Sequence, residues 1–151
     1  MNSENKSIQV SIILEIAGRP PEHLTKTLNG IIGEINTEKG TKVINQKIHE
    51  PVLIPGQKDF YSSFTELEIE IENLEILSQL VLKYMPSHLE IISANSISIK
   101  PSEITGMFGN IIKKMHTYDE TARIIQTKRV QLEKELKELK EKSLPSTSNI
   151  Q

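Results

Sequence analysis

Three of the four histidines stand near carboxylates: Glu22 precedes His23, Glu50 follows His49, and Glu90 lies two residues beyond His88. Imidazole and carboxylate are ligands that zinc and similar divalent ions accept, so His23, His49, His88 and Glu90 are candidate metal ligands. Arg19 precedes Pro20-Pro21, a pair that can open a helix, and a guanidinium beside a helix N-terminus suits an anion. No spacing here matches a metal signature such as His-Glu-x-x-His. No serine sits in a Gly-x-Ser-x-Gly elbow, and Asn29-Gly30-Ile-Ile-Gly33 lies inside a helical pattern rather than in a phosphate-binding loop. Glu66, Glu68 and Glu70 form an open row on one strand, whereas a catalytic carboxyl pair needs desolvation to split its pKa values. Chemistry at the histidines therefore depends on which elements bring them together.

The first strand reads Ile8 to Ala17, with Ile8, Val10, Ile12, Leu14 and Ile16 on one face and Gln9, Ser11, Ile13 and Glu15 on the other. Gly18-Arg19-Pro20-Pro21 stops it. Leu24, Leu28, Ile31, Ile32 and Ile35 then fall on one helical face, with Gly40 as the expected stop. A second strand runs from Thr41 to about His49, and Pro51, Pro55 and Gly56 mark a loop. Phe64 to Glu72 is the clearest strand, because Leu67, Ile69 and Ile71 alternate with glutamates. Asn73 caps a short helix ended by Pro86, and Leu89 to Ile99 supplies a fourth strand, bent near residues 94–96. The order βαββαβ predicts an α+β fold, a ferredoxin-like plait with a four-stranded antiparallel sheet and both helices on one face.

That topology places the end of the first strand, the loop after the second and the start of the fourth at one end of the sheet. Arg19, Glu22, His23, His49, Glu50, Ser87, His88 and Glu90 are expected there. His49 lies two sheet spacings, roughly 10 Å, from the first strand. The open sheet face carries Gln9, Ser11, Ile13, Glu15, Glu66, Glu68 and Glu70, with no aromatic ring among them. Those carboxylates repel phosphate, which disfavours sequence-specific nucleic-acid binding through the sheet. The plainer alternative for His23 and His88 is capping or bonding at element ends.

Beyond Pro101, Ser102 is a candidate cap for a helix whose stripe is Ile104, Met107, Phe108, Ile111, Ile112 and Met115, and this stripe could fold back over the open sheet. From Asp119, a longer helix carries Ala122, Ile125, Arg129, Leu132, Leu136 and Leu139 on alternating steps of three and four, a short coiled-coil pattern. Ile125, Arg129, Leu132, Leu136 and Leu139 are the candidate interface. The expected organisation is a flexible N-terminus over 1–7, a plait over 8–100, a helical extension over 101–143 and a disordered tail over 144–151.

Composition narrows the class. Residues 1–100 hold nine Lys and Arg against thirteen Asp and Glu, and residues 101–151 hold nine against seven, for a net charge of -2 overall. No global charge draws the chain to nucleic acid or anionic lipid. Cysteine is absent, which removes disulfides, thiol catalysis and Cys-based zinc sites. There is no apolar run of membrane-spanning length, and the first residues lack the core of a signal peptide, so a cytoplasmic location is expected.

The plait pattern over about residues 8–100 resembles ACT-like and other ferredoxin-like regulatory domains. Arg19-Pro-Pro-Glu-His-Leu24, Lys47-Ile-His-Glu-Pro51 and Tyr84-Met-Pro-Ser-His-Leu-Glu-Ile-Ile92 are similar to segments of a family of small archaeal proteins, a resemblance that carries no activity with it. The ACT-like resemblance implies binding of an amino acid or other small effector at Gly18, Arg19, Glu22 and His23, completed by a neighbouring copy. His88 joins that candidate set from the topology. The leading expectation is a non-enzymatic, homo-oligomeric sensor or scaffold with no cofactor identified. The alternatives are an adaptor that binds another protein through residues 119–143, and a metal-dependent enzyme using His23, His88 and nearby glutamates.

Overall fold

The computed structural model describes residues 7–92 and 98–143. Strand β1 (Ile8–Gly18) is followed by helix α1 (Pro21–Thr37), strands β2 (Thr41–Ile48), β3 (Val52–Leu53) and β4 (Tyr61–Ile71), helix α2 (Leu74–Tyr84), strand β5 (His88–Ile91) and helix α3 (Pro101–Ser143). The sheet order is β2-β4-β1-β5, with β3 paired to the start of β4. β1 and β2 thus flank β4 as parallel strands joined by α1, while β4 and β5 flank β1 joined by α2. This α+β arrangement is the ferredoxin-like plait that the element order predicts.

Strict alternation builds the core. Val10, Ile12 and Leu14 on β1 and Leu67, Ile69 and Ile71 on β4 are buried on one sheet face, together with Ile32 and Ile35 of α1 and Leu77 and Leu80 of α2. Two buried hydroxyls share that face without penalty, because Ser63 donates to the His49 carbonyl at 2.7 Å and Thr65 to that of Lys47 at 3.0 Å. β4 therefore begins at Tyr61, three residues before the expected start at Phe64 and six before the apolar alternation opens at Leu67.

Helix ends follow local chemistry. Asn73 caps α2 by accepting the Ile76 N–H at 3.0 Å, and Met85 turns left-handed (φ 48°) before Pro86. α1 ends at Thr37 and leaves through extended Glu38, so Gly40, at φ 78°, serves the turn into β2 rather than the helix stop expected of it. Ser102 does not cap α3 either. Helix begins at Pro101, with Glu103 reaching back to accept the Lys100 N–H at 2.9 Å.

α3 runs without interruption over Pro101–Ser143, so the extension expected as one or two helices is a single helix. Thr117 donates to the Lys113 carbonyl at 3.0 Å and Thr121 to that of Thr117 at 2.8 Å, which satisfies these hydroxyls inside the helix. Two compact units are distinguished, one ending at Ile111 and the other beginning at Ile112. In the first, Asn110 donates to Ser78 at 2.9 Å, and an added Cβ at Gly106 would lie 2.9 Å from the Glu75 carboxyl carbon. The start of α3 thus lies against α2, on the helical side, and not over the open sheet. In the second unit α3 has no buried residue.

The fourth strand, expected over Leu89 to Ile99, is observed as His88–Ile91. Residues 93–97, including its expected bend, lie outside the described residues, as do 1–6 and 144–151.

Candidate functional site

Gly18, the last residue of β1, pairs with Tyr61 at the start of β4, and a cis Arg19-Pro20 bond leads into α1 with Glu22 in its first turn. Across from it, the His49 N–H continues the β2 ladder by bonding to the Phe64 carbonyl at 2.9 Å, and Glu50-Pro51 then turns the chain into β3. These segments border an open groove of about 740 Å³, lined by Pro21, Glu22, Thr25, Lys26, Asn29, Glu50, Pro51 and Tyr61. Two carboxylates, an ammonium, an amide and a phenol offer both charge signs and both hydrogen-bonding roles to a small polar molecule. Arg19 and His23 are exposed, and neither lines the groove. The sequence reading named Glu22 and Glu50 here but missed Lys26, Asn29 and Tyr61. Spacing along α1 from Glu22 points to Lys26, whereas Tyr61 enters at the start of β4, paired with Gly18 of β1 and Leu53 of β3.

The stagger of the strands separates the histidines. β5 starts level with Ile13, since His88 pairs with Ile13 and Glu90 with Ser11. β1 then continues five residues beyond Ile13 to Gly18, about 16 Å of strand. His88 and Glu90 thus stand on the open face of the sheet, away from Arg19, Glu22 and His23. His49 lies at the far edge of that same face. Its Nε2 is 2.6 Å from Glu66 Oε1, and its ring stacks on Phe64 with centroids 4.0 Å apart and planes 15° from parallel.

Phe64 is therefore a ring on the face where none was expected, and its partner is the imidazole of His49. The carboxylate row also has cross-strand company: Lys47 pairs with Glu66, Asn45 with Glu68 and Lys42 with Glu70, which accepts a hydrogen bond from Ser7. A bulge at Ile44, between Val43 and Asn45, restores this alternation on β2. Among the described residues no group of three or more His, Asp and Glu is placed to hold a metal ion.

A third cluster is structural. Glu38 accepts from Lys83 Nζ and from the Tyr84 hydroxyl, both at 2.6 Å, tying the end of α1 to the last turn of α2. Partial burial works to raise the Glu38 carboxyl, but the hydrogen bonds from Lys83 and Tyr84 and the Lys83 charge outweigh it and leave the group below its ordinary value of 4.5. Lys83 is raised in turn, chiefly by its bond to Glu38.

On α3 the candidate interface residues are all exposed: Ile125 61%, Leu132 63%, Leu136 53% and Leu139 63%, with Arg129 bonded at 2.8 Å to Glu133. No helix among the described residues is long and apolar enough to cross a membrane. No curated protein and no solved structure matches the chain. A model of the MJ0538 family matches residues 9–144, which takes in the plait from the second residue of β1 and all of α3. The chain belongs to the MJ0538 family.

Proposed function

We propose that the protein is a non-enzymatic, self-associating plait that senses a small polar ligand, with α3 joining copies. The observation that carries this reading is the state of α3. The plait closes its core with β1, β4, α1 and α2, while α3 buries none of its residues and leaves Ile125, Leu132, Leu136 and Leu139 in water. A row of large apolar side chains along a single helix is stabilised by a second helix.

The groove beside Glu22, Lys26, Glu50 and Tyr61 supports the ligand half of the reading. It adjoins the β1 exit, where the ACT-like resemblance implies effector binding at Gly18, Arg19, Glu22 and His23. A molecule carrying both an amine and a carboxylate complements its mixed charges. Native mass spectrometry of the untagged full chain tests both halves. The expected result is a dimer or higher assembly with a defined added mass that Glu22→Ala abolishes. A monomer at micromolar concentration with no added mass overturns the reading. The same exposed helix face favours a second reading, an adaptor whose α3 takes a helix of another protein, in which the purified chain stays monomeric.

A further inference from the structure

We infer that α3 pairs with α3 of a second copy as a parallel, in-register, two-stranded coiled coil. This rests on the self-association proposed above and adds its geometry. Because α3 is one helix, the heptad phase read beyond Asp119 extends backward without a break. Ile104, Phe108, Ile111, Met115, Tyr118, Ala122, Ile125, Arg129, Leu132, Leu136 and Leu139 follow one another by alternating steps of four and three. Ile104, Phe108, Met115, Ile125, Leu132, Leu136 and Leu139 are all 40% or more exposed, so the apolar seam is open to water through the second unit. A strict seven-residue repeat of this kind drifts on a straight helix and is kept facing a partner by a left-handed supercoil.

Flanking charge selects the partner and its direction. With Phe108, Met115, Ala122, Arg129 and Leu136 at the a positions, the g positions are Met107, Lys114, Thr121, Lys128 and Glu135, and the e positions are Ile112, Asp119, Gln126, Glu133 and Lys140. In a parallel pair each g residue meets the e residue five places later on the other copy. Lys114 then faces Asp119, Lys128 faces Glu133 and Glu135 faces Lys140, while Met107 meets Ile112 and Thr121 meets Gln126. Every charged meeting joins opposite signs.

An antiparallel pair instead sets g against g and e against e. Of its two fullest overlaps, one brings together only Lys114 and Glu135 as opposite charges. The other sets Lys114 against Lys128 and Asp119 against its own copy. Arg129, the polar residue of the seam, is held by Glu133 on its own helix. A polar a residue of this kind sets register and number of strands at some cost in stability.

The absence of cysteine makes the test direct. Leu132→Cys, in the full chain, places two thiols face to face only in a parallel, in-register pair, within the Cα separation a disulfide spans. The expected result under mild oxidation is conversion of most of that variant to a disulfide-linked dimer. The unoxidised chain should have the light-scattering mass of two chains. Mixing Met115→Cys with Leu132→Cys protein is expected to give no cross-linked heterodimer.

A dimer in which Leu132→Cys stays reduced while the mixture cross-links is antiparallel, and overturns the geometry but not self-association. A mass above two chains overturns the two-stranded form. A monomer overturns self-association and the coil with it. Should cysteine weaken the helix, charge reversal gives a second readout. Lys140→Glu is expected to weaken the dimer at least severalfold by facing Glu135, and adding Glu135→Lys to restore it. No weakening, or no restoration, refutes the pairing.

Discussion

Gly40 and Gly56 share one backbone conformation in two surroundings, and replacing each with alanine separates conformational strain from packing. Both have φ 78°. At Gly56 an added Cβ meets nothing within 4 Å, so Gly56→Ala carries only the left-handed penalty, about 1 kcal/mol. At Gly40 the same Cβ overlaps Ile76 Cδ1, lies 2.9 Å from Glu72 Oε2 and 3.4 Å from Glu72 Cβ. The Glu72 carboxylate can swing into water. Ile76 cannot move as freely, because it packs against the core cluster. Displacing it adds roughly 1–2 kcal/mol to the strain, so Gly40→Ala is expected to cost about 2–3 kcal/mol.

Urea and thermal unfolding followed by tyrosine emission, unmasked because the chain has no tryptophan, read both variants. In a domain of about 100 residues the melting midpoint should fall by roughly 4–8 °C for Gly56→Ala and two to three times as far for Gly40→Ala. Equal losses, within about 0.5 kcal/mol, would mean that the α1–β2 turn does not press on α2 as described.

Other expectations follow from the core, the inter-helix cluster and the groove. Leu28→Ala, at a fully buried position on α1, should destabilise the plait by about 2–5 kcal/mol in the same titration. The depressed Glu38 carboxyl stabilises the fold while it is ionised. That contribution is complete above its ordinary value of 4.5 and is lost as pH falls through the lower folded value. Glu38→Gln should therefore be less stable than the parent at pH 7, by a gap that narrows as pH falls below 4.5, and a gap of constant size contradicts the assignment. A groove ligand should raise the melting midpoint of the parent chain more than that of Tyr61→Ala, measured at one ligand concentration.

Where apolar and charged residues alternate, the sequence is transparent. Ile8 to Leu14 and Leu67 to Ile71 name both their burial and their strand, and Asn73 names its cap. Opacity begins where polar residues do apolar work. Ser63 and Thr65 are buried only because the edge strand offers them carbonyls, so the first residues of β4 carry no alternation to read. β3 has two residues, too few for a period to exist. Between the stripe that ends at Met115 and the heptads read from Asp119, Thr117 and Thr121 bond back to carbonyls of their own helix. The glycines at 106 and 109 each cost only about 1 kcal/mol relative to alanine, which helix continuity outweighs.

The candidate site shows a different limit, one of register rather than of element type. Topology says which strand ends share an end of the sheet, but not how far each strand reaches along it. For β1 and β4 the register is dictated over eleven paired residues, because a slip by one would turn every buried side chain to water. β5 pairs through only four residues, and Leu89 alone among them is half-buried. A slip of two residues would put Ile91 opposite Ile12 in place of Leu89 and leave the pattern unchanged. What selects the observed register is local: Ser87 donates its N–H to the Ile13 carbonyl at 2.8 Å, and its hydroxyl to the same oxygen at 3.2 Å. That carbonyl, five residues short of the β1 exit, sets His88 on the open face beside Ile13 and leaves the groove at the sheet's end to Glu22, Lys26, Glu50 and Tyr61.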